Sequence, residues 1–237
     1  MNLLLLLPEN MLTDTSARVS GRQLAHLHET LTTKEGDHLC VGLLNERLGT
    51  ALVTKLTKVQ VDLEINWHSD APSALPLTLV IGLPRPKMLK RIIQTATTMG
   101  VKELYFMHSW KVEKSFWQSP WLTEEKIREN CILGLEQAKD TVMPNIHLKK
   151  RFKPFVEDEL PSITHNTRKI LAHPGEPDPC PIDIQDQTTL VIGPEGGFTP
   201  YEVEKIKECG FQSVHLGERI LRVETAVPAL IARLFCP

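Results

Sequence analysis

The chain lacks most features that would assign a function by composition alone. Its 237 residues hold five cysteines (Cys40, Cys131, Cys180, Cys209 and Cys236), scattered and without a C-x-x-C pair. That pattern fits reduced thiols in a cytoplasmic protein better than a disulfide framework or a zinc site. No histidine spacing supports a metal. Neither sign of charge is in excess, with 27 basic residues against 29 acidic ones. Nucleic-acid binders usually carry a basic bias, so an RNA contact here would need a local patch. Long apolar runs are missing too. The leucine run Leu3–Leu7 is cut off by Pro8-Glu9, far short of the roughly 18 residues of a membrane helix. With no basic segment ahead of it, the run reads as a buried first strand and not as a signal peptide. The absence of G-x-x-x-x-G-K-[ST] removes the P-loop route to phosphate handling. No internal repeat or low-complexity tract is visible.

What is present is a pair of glycine-marked elbows, V-I-G-P-E-G-G-F (Val191–Phe198) and L-G-E-R-I-L-R-V-E-T-A (Leu216–Ala226). Each follows an apolar, strand-like run, Thr188–Ile192 and Phe211–Leu216, and each precedes a helix-like run. Open α/β sheets bind ligands beyond the carboxyl ends of their strands, so the pair predicts one pocket. Gly193, Gly196, Gly197 and Gly217 let the backbone turn sharply and approach a ligand. One helix start is legible: Thr199 caps, Pro200 takes the first helical position, Glu202 closes a capping box, and Gly210 stops the helix after Cys209. The first elbow thus lies between a strand end and a helix N-terminus, a place that suits a polar or anionic ligand group.

Residues 1–66 read as short strands around one helix, Gly21–Leu31, whose Leu24, Leu27 and Leu31 share a face. His38–Leu44, Thr50–Leu56 and Val59–Ile65 are further strands, the last alternating with period two. They suggest a small β-barrel-like module. Trp67–Pro76, rich in Pro, Ser and Asp, marks a boundary between domains 1–70 and 75–237. Beyond it strand and helix patterns alternate, which predicts an α/β fold with a mainly parallel sheet. A long helix is expected from Thr123 to Lys139, an exposed connection over Pro154–Asn166, a buried strand over Lys169–His173, and a loop over Pro174–Pro181.

G-P-E-G-G-F-T-P-Y-E followed by L-G-E-R-I-L-R-V-E-T-A resembles the signature of the 16S ribosomal RNA uridine-N3 methyltransferase family (the RsmE type), of the SPOUT class. A weaker similarity runs through Pro86–Val101, Gly134–Ala138 and Leu171–Pro174. The resemblance therefore spans most of the chain, and only its C-terminal motifs are specific. It implies an N-terminal PUA-like RNA-binding β-barrel domain and a C-terminal α/β domain knotted around S-adenosylmethionine. It also implies a homodimer in which both subunits form the RNA site, acting on 16S rRNA of the 30S subunit, with no membrane and no metal. Departures fall on the RNA side. Glu29 and Thr32 stand in a region where the family usually carries arginines. Ala138, Lys139 and Asp140 follow E-Q in place of a Gly-Arg pair, and Thr97-Thr98-Met99-Gly100 replaces T-E-L-G. The alternative expectation is a divergent, non-catalytic paralogue that still binds cofactor and RNA.

Read as a cofactor pocket, Leu216, Ile220 and Leu221 offer apolar surface. The turns at Gly193, Pro194, Glu195, Gly196, Gly197 and Gly217 offer backbone groups to an adenine edge. By resemblance, Leu171 and His173 complete the wall and Thr225 joins the set. Methyl transfer needs donor and nucleophile held in near-attack geometry, worth up to about 7–11 kcal/mol. Uridine N3 must lose a proton, and negative charge then spreads onto the flanking carbonyl oxygens. A fixed guanidinium stabilises that charge, and Arg222 is the candidate, with Glu224 or Thr225 positioning it. The bland alternative for Arg222 is a salt bridge with Glu218 or Glu224, and Arg219 reads as structural. Glu195 has two open readings, a ribose ligand or a neutraliser of a nearby arginine. Glu202 reads as the capping-box carboxylate and nothing more. His173 has three: cofactor wall, proton acceptor or satisfied strand-end histidine, with the wall preferred. His26, His28 and His38 read as surface residues. Trp110, Trp117 and Trp121 with Lys111 and Lys114 fit either RNA stacking or an ordinary hydrophobic cluster.

Overall fold

The computed structural model describes residues 2–29 and 32–235. These form two compact units, 1–73 with 132–143 and 74–131 with 144–237. The expected limits, 1–70 and 75–237, place 132–143 in the other unit.

The first unit holds β1 (Leu4–Leu6), β2 (Met11–Thr13), β3 (Ser16–Val19), α1 (Gly21–Glu29), β4 (His38–Leu43), β5 (Leu48–Leu56) and β6 (Val61–Ser69). Its sheet runs β1-β4-β5-β6-β3-β2, with β1 and β2 at the open ends of the ladder among the described residues. The leucine run does not alternate because both of its faces are covered. Leu4 and Leu6 join a core with Val41, Val53, Val61 and Leu63, whereas Leu3 and Leu5 pack with Leu135 and Ile132. Leu24 and Leu27 of α1 complete the first of these cores. Leu31, expected on the same face, lies outside the described residues. Glu136, only 2% exposed, accepts from Arg22 Nη2 at 2.8 and 3.0 Å and from Gln23 Nε2 at 2.9 Å. A carboxylate buried that deeply requires such partners.

The second unit continues with β7 (Leu77–Gly82), α2 (Pro86–Thr98), β8 (Glu103–Met107), α3 (Glu124–Ala138), β9 (Asn145–Lys149), α4 (Phe152–Pro154), α5 (Leu160–Ile163), β10 (Arg168–Ala172), β11 (Thr188–Ile192), α6 (Pro200–Glu208), β12 (Gln212–Val214) and α7 (Val223–Leu234). Residues 132–138 of α3 are the part grouped with the first unit. The sheet order is β12-β10-β11-β7-β8-β9, and every pairing is parallel. β7 and β11 are buried at every position, so they read as continuous apolar runs, as strands covered on both faces do. All carboxyl ends therefore emerge at one edge. From β7 the chain steps outward through β8 and β9, then returns to the other side of β7 for β10, β11 and β12. The order reverses between β11 and β7, the switch point where open α/β sheets leave a crevice.

One expectation is corrected. Pro154–Asn166 is not an exposed connection: Phe155–Glu159 forms a π-helical turn between α4 and α5, and Phe155, Val156 and Leu160 are at most 1% exposed. Pro154 and Pro161 break the helical pattern in the sequence, and the wide turn brings these three apolar residues into one core cluster. The capping box at α6 is formed as expected, with Thr199 N–H donating to Glu202 Oε2 at 2.8 Å.

Candidate active site

A cavity of about 400 Å³ opens beyond the carboxyl ends of β12, β10 and β11, a size suited to a small-molecule ligand. His173, Gly193, Pro194, Glu195, Gly196, Gly197, Leu216, Gly217, Ile220 and Leu221 all line it. Two expected members do not. Leu171 is fully buried in the core behind the wall, and Ala172, on the opposite face of the strand, takes the lining place. Thr225 is exposed on α7, where its N–H donates to Arg222 O at 2.9 Å.

The elbows are shaped by three glycines in particular. Gly197 (φ +68°) and Gly217 (φ +114°) take left-handed backbone that side chains disfavour. Gly82, at the end of β7, permits close approach: a Cβ there would stand 2.5 Å from Pro194 Cδ. The β7 end is thus the seat of the first elbow. Gly196 is constrained differently, because its Cβ would stand 3.0 Å from the Lys111 stem, and Lys111 Nζ donates to Gly196 O at 2.8 Å. Sequence reasoning misses Lys111 as a lining residue, since nothing local ties it to a turn 85 residues away. It misses His215 too, whose Nδ1 accepts from Gly217 N–H at 2.8 Å. A histidine directly before a glycine elbow was the available signal. His173 is half-buried and donates its backbone N–H to Val214 O at 2.9 Å. Burial, assisted by Lys207 and Lys111 and opposed by Glu176, holds its imidazole below the usual pKa. A neutral ring suits a cofactor wall.

Arg222 and Glu224 line a second cavity, about 740 Å³, together with Arg85, Pro86, Lys87, Met88, Glu113, Phe116 and Glu195. It sits beyond the ends of β11, β7 and β8. Glu195 belongs to both cavities, and its Oε1 accepts from the Arg85 N–H at 2.9 Å, at the switch point between β11 and β7. Its carboxylate therefore holds a backbone amide at the start of α2, a role neither open reading included. Arg222 is the exposed residue that precedes α7. Among the described residues no hydrogen bond or ion pair engages its guanidinium, so the salt bridge with Glu218 or Glu224 is not formed. Glu202 does more than close the capping box: its Oε1 also accepts from Trp110 N–H at 2.7 Å. Among the described residues no ring contact joins these tryptophans to one another, and their neighbours differ. Trp110 is 83% exposed, Trp117 donates to His108 Nδ1 at 3.0 Å, and Trp121 lies under the Lys90 ammonium at 5.4 Å. Among the described residues, no helix is long and apolar enough to cross a membrane.

Residues 71–235 match a protein family described as an RNA methyltransferase domain. The chain is 28% identical over 217 residues to ribosomal RNA small subunit methyltransferase E of Treponema pallidum, covering 89% of this chain and 81% of that protein. It is 26% identical over 218 residues to ribosomal RNA small subunit methyltransferase E 1 of Borreliella burgdorferi, covering 91% and 90%. Among solved structures it is similar to a ribosomal RNA small subunit methyltransferase E from Neisseria gonorrhoeae bound to S-adenosyl methionine. There the TM-score is 0.76 at 25% identity, covering 98% of this chain and 95% of that one.

Proposed function

Since the chain belongs to the RNA methyltransferase domain family, we propose that it methylates N3 of a uridine in 16S ribosomal RNA of the small subunit, using S-adenosylmethionine. The observation that carries this reading is the pair of cavities joined through Glu195, one the size of a cofactor and the other holding an unpartnered arginine. The names of the relatives agree with it. The first cavity fits the cofactor in kind: Leu216, Ile220 and Leu221 offer faces to an adenine, and the backbone of both elbows offers edge partners. Its left-handed glycines leave open space where a Cβ would stand. When bound, the cofactor supplies a methyl group on a positively charged sulfur. The chain's own residues do the rest. As N3 gives up its proton, charge spreads onto the uracil oxygens, and the planar Arg222 guanidinium stabilises it without changing its own protonation. Glu224, two residues on, lines the same cavity and is free to pair with that guanidinium once the base is bound.

The same reading takes the first unit as a PUA-like RNA-binding module. It takes the second as a SPOUT domain whose C-terminal chain is knotted about the cofactor. The working form is a cytoplasmic homodimer. Mass spectrometry of rRNA nucleosides from cells with and without the gene tests it: 3-methyluridine in 16S rRNA disappears with the gene. One observation favours the second reading, a non-catalytic paralogue. Arg22, the only arginine of α1, is engaged with Glu136 and does not face a ligand freely. Unchanged 3-methyluridine, with cofactor binding intact, selects that reading.

A further inference from the structure

The second cavity has a composition that the cofactor does not explain. Four junctions line it: the β7–α2 turn and the β8–α3 loop, which follow strands adjacent in the sheet, with Glu195 from the elbow after β11 and Arg222 and Glu224 from the segment after β12. From the loop comes Phe116, half-buried in a 3-10 turn. From the first turn of α2 comes Met88. Around these apolar surfaces stand the cations Arg85, Lys87 and Arg222 and the carboxylates Glu113, Glu195 and Glu224. Among the described residues no ion pair joins any of these six charges to another. A flat ring with a thioether, ringed by separate donors and acceptors, matches a planar heterocycle whose edge alternates the two.

Uracil presents acceptor, donor, acceptor along O2, N3–H and O4. Its complement is donor, acceptor, donor, which guanidinium and carboxylate groups supply. Cytosine presents a lone pair at N3, which faces a carboxylate unfavourably, so the same set discriminates against it. We infer that this cavity receives the target uracil extruded from its RNA stack, and that Phe116 is the residue on which the base stacks. The inference rests on the methyltransferase reading above and assigns its substrate pocket. It also places the target base next to the cofactor, since Glu195 borders both cavities. The tryptophans that sequence reasoning offered for stacking are engaged by His108 and Lys90 or stand outside the cavity, which leaves Phe116 as its aromatic ring. Extrusion costs unstacking energy, and stacking on a protein ring offsets it.

Single-turnover methyl transfer to 30S subunits, run over a range of subunit concentrations, separates the base stack from simple packing. Phe116→Ala lowers transfer efficiency about 5- to 150-fold, the range that corresponds to one lost base–aromatic stack. Cofactor affinity by calorimetry stays at the parental value. Phe116→Leu, apolar but without a π face, falls as far as Phe116→Ala, whereas Phe116→Trp retains activity. Phe116→Leu at the parental rate overturns the stacking role. A second measurement does not depend on turnover. 16S rRNA carrying 4-thiouridine, assembled into subunits and irradiated with the protein, crosslinks to peptides containing residues 85–88 or 113–116. Crosslinks confined to other peptides overturn the pocket even if methylation is normal. Crosslinks at these peptides without any methyl transfer uphold the pocket and reject the methyltransferase reading.

Discussion

A guanidinium with no partner among the described residues, two residues from a carboxylate it does not bond, is poised for charge that arrives with a substrate. Arg222→Ala should cut single-turnover methyl transfer by roughly 10²–10³-fold, as loss of one preorganised donor does, while cofactor titration changes little. Arg222→Lys should recover little of it, because a point charge does not reproduce the planar fork; parental turnover in Arg222→Ala removes the assignment. His108 makes a different kind of prediction. Burial is the main cause holding its pKa below the usual imidazole value, with Lys114 assisting and Glu202 opposing, and its Nδ1 accepts from Trp117. Well above about pH 6.5 the ring is neutral in both folded and unfolded chains, so it contributes no pH dependence there. Below that, the unfolded chain takes up the proton more readily, and stability falls as pH drops toward the lower folded value. Urea midpoints from near-neutral to mildly acid pH should fall less steeply in His108→Gln, which keeps an acceptor but does not titrate. Equal slopes in the two proteins would exclude this role. At this scale the sequence was legible wherever chemistry is local. Both elbows announce themselves by glycine after an apolar run. Leu171 was misplaced because alternation along β10 decides which of two neighbours faces the cavity, and Lys111 was invisible because its partner is fixed by topology.

The start of α6 shows how much one helix terminus can hold. Glu202 closes the capping box with one oxygen and accepts the Trp110 amide with the other, at 3% exposure. Thr199→Ala loses the cap alone and should cost about 0.5–2 kcal/mol. Glu202→Ala leaves the part-buried amides of Thr199 and Trp110 without their acceptor and should cost more, about 2–4 kcal/mol from two unsatisfied donors at roughly 1–3 each with partial relaxation. Urea denaturation of both variants tests the order; a milder Glu202→Ala would mean that water replaces the lost acceptor. The capping box was readable because its residues are three apart in the chain. The Trp110 bond, 92 residues distant, was not. The π-helical turn at Phe155–Glu159 was misread for a related reason. Prolines at 154 and 161 are strong local signals, while the burial of Phe155 and Val156 depends on what packs over them. The β2–β3 hairpin escaped as well, because strands of three and four residues are too short for alternation to register.

At the scale of the molecule, alternation of strand and helix after residue 76 was enough to predict a parallel sheet, since only crossovers can link parallel neighbours. Strand order was not, because it depends on which side of β7 the chain returns to. The grouping of 132–143 with the first unit was equally hidden. Arg22→Ala should expose its energetic weight. It leaves the Glu136 carboxylate with Gln23 as its remaining side-chain partner, and breaking a buried pair costs about 3–5 kcal/mol. Because Arg22 is 47% exposed, the expected loss is smaller, about 1–3 kcal/mol. Glu136→Gln, which keeps the hydrogen bonds to Gln23 feasible without the charge, should lose less; a parental melting profile in Arg22→Ala would show that water solvates Glu136 in its place. The discontinuity also sets a timetable for synthesis. When residue 73 has left the ribosome, Leu3, Leu5, Leu44 and Leu48 still lack Ile132, Leu135 and Met143, the apolar residues that pack with them. At ~5–20 residues per second the missing segment arrives some seconds later. For that interval the nascent chain carries an uncovered leucine face, a natural binding site for a ribosome-associated chaperone, and the first unit cannot finish folding until residue 143 has emerged, after the first segment of the second unit has been made.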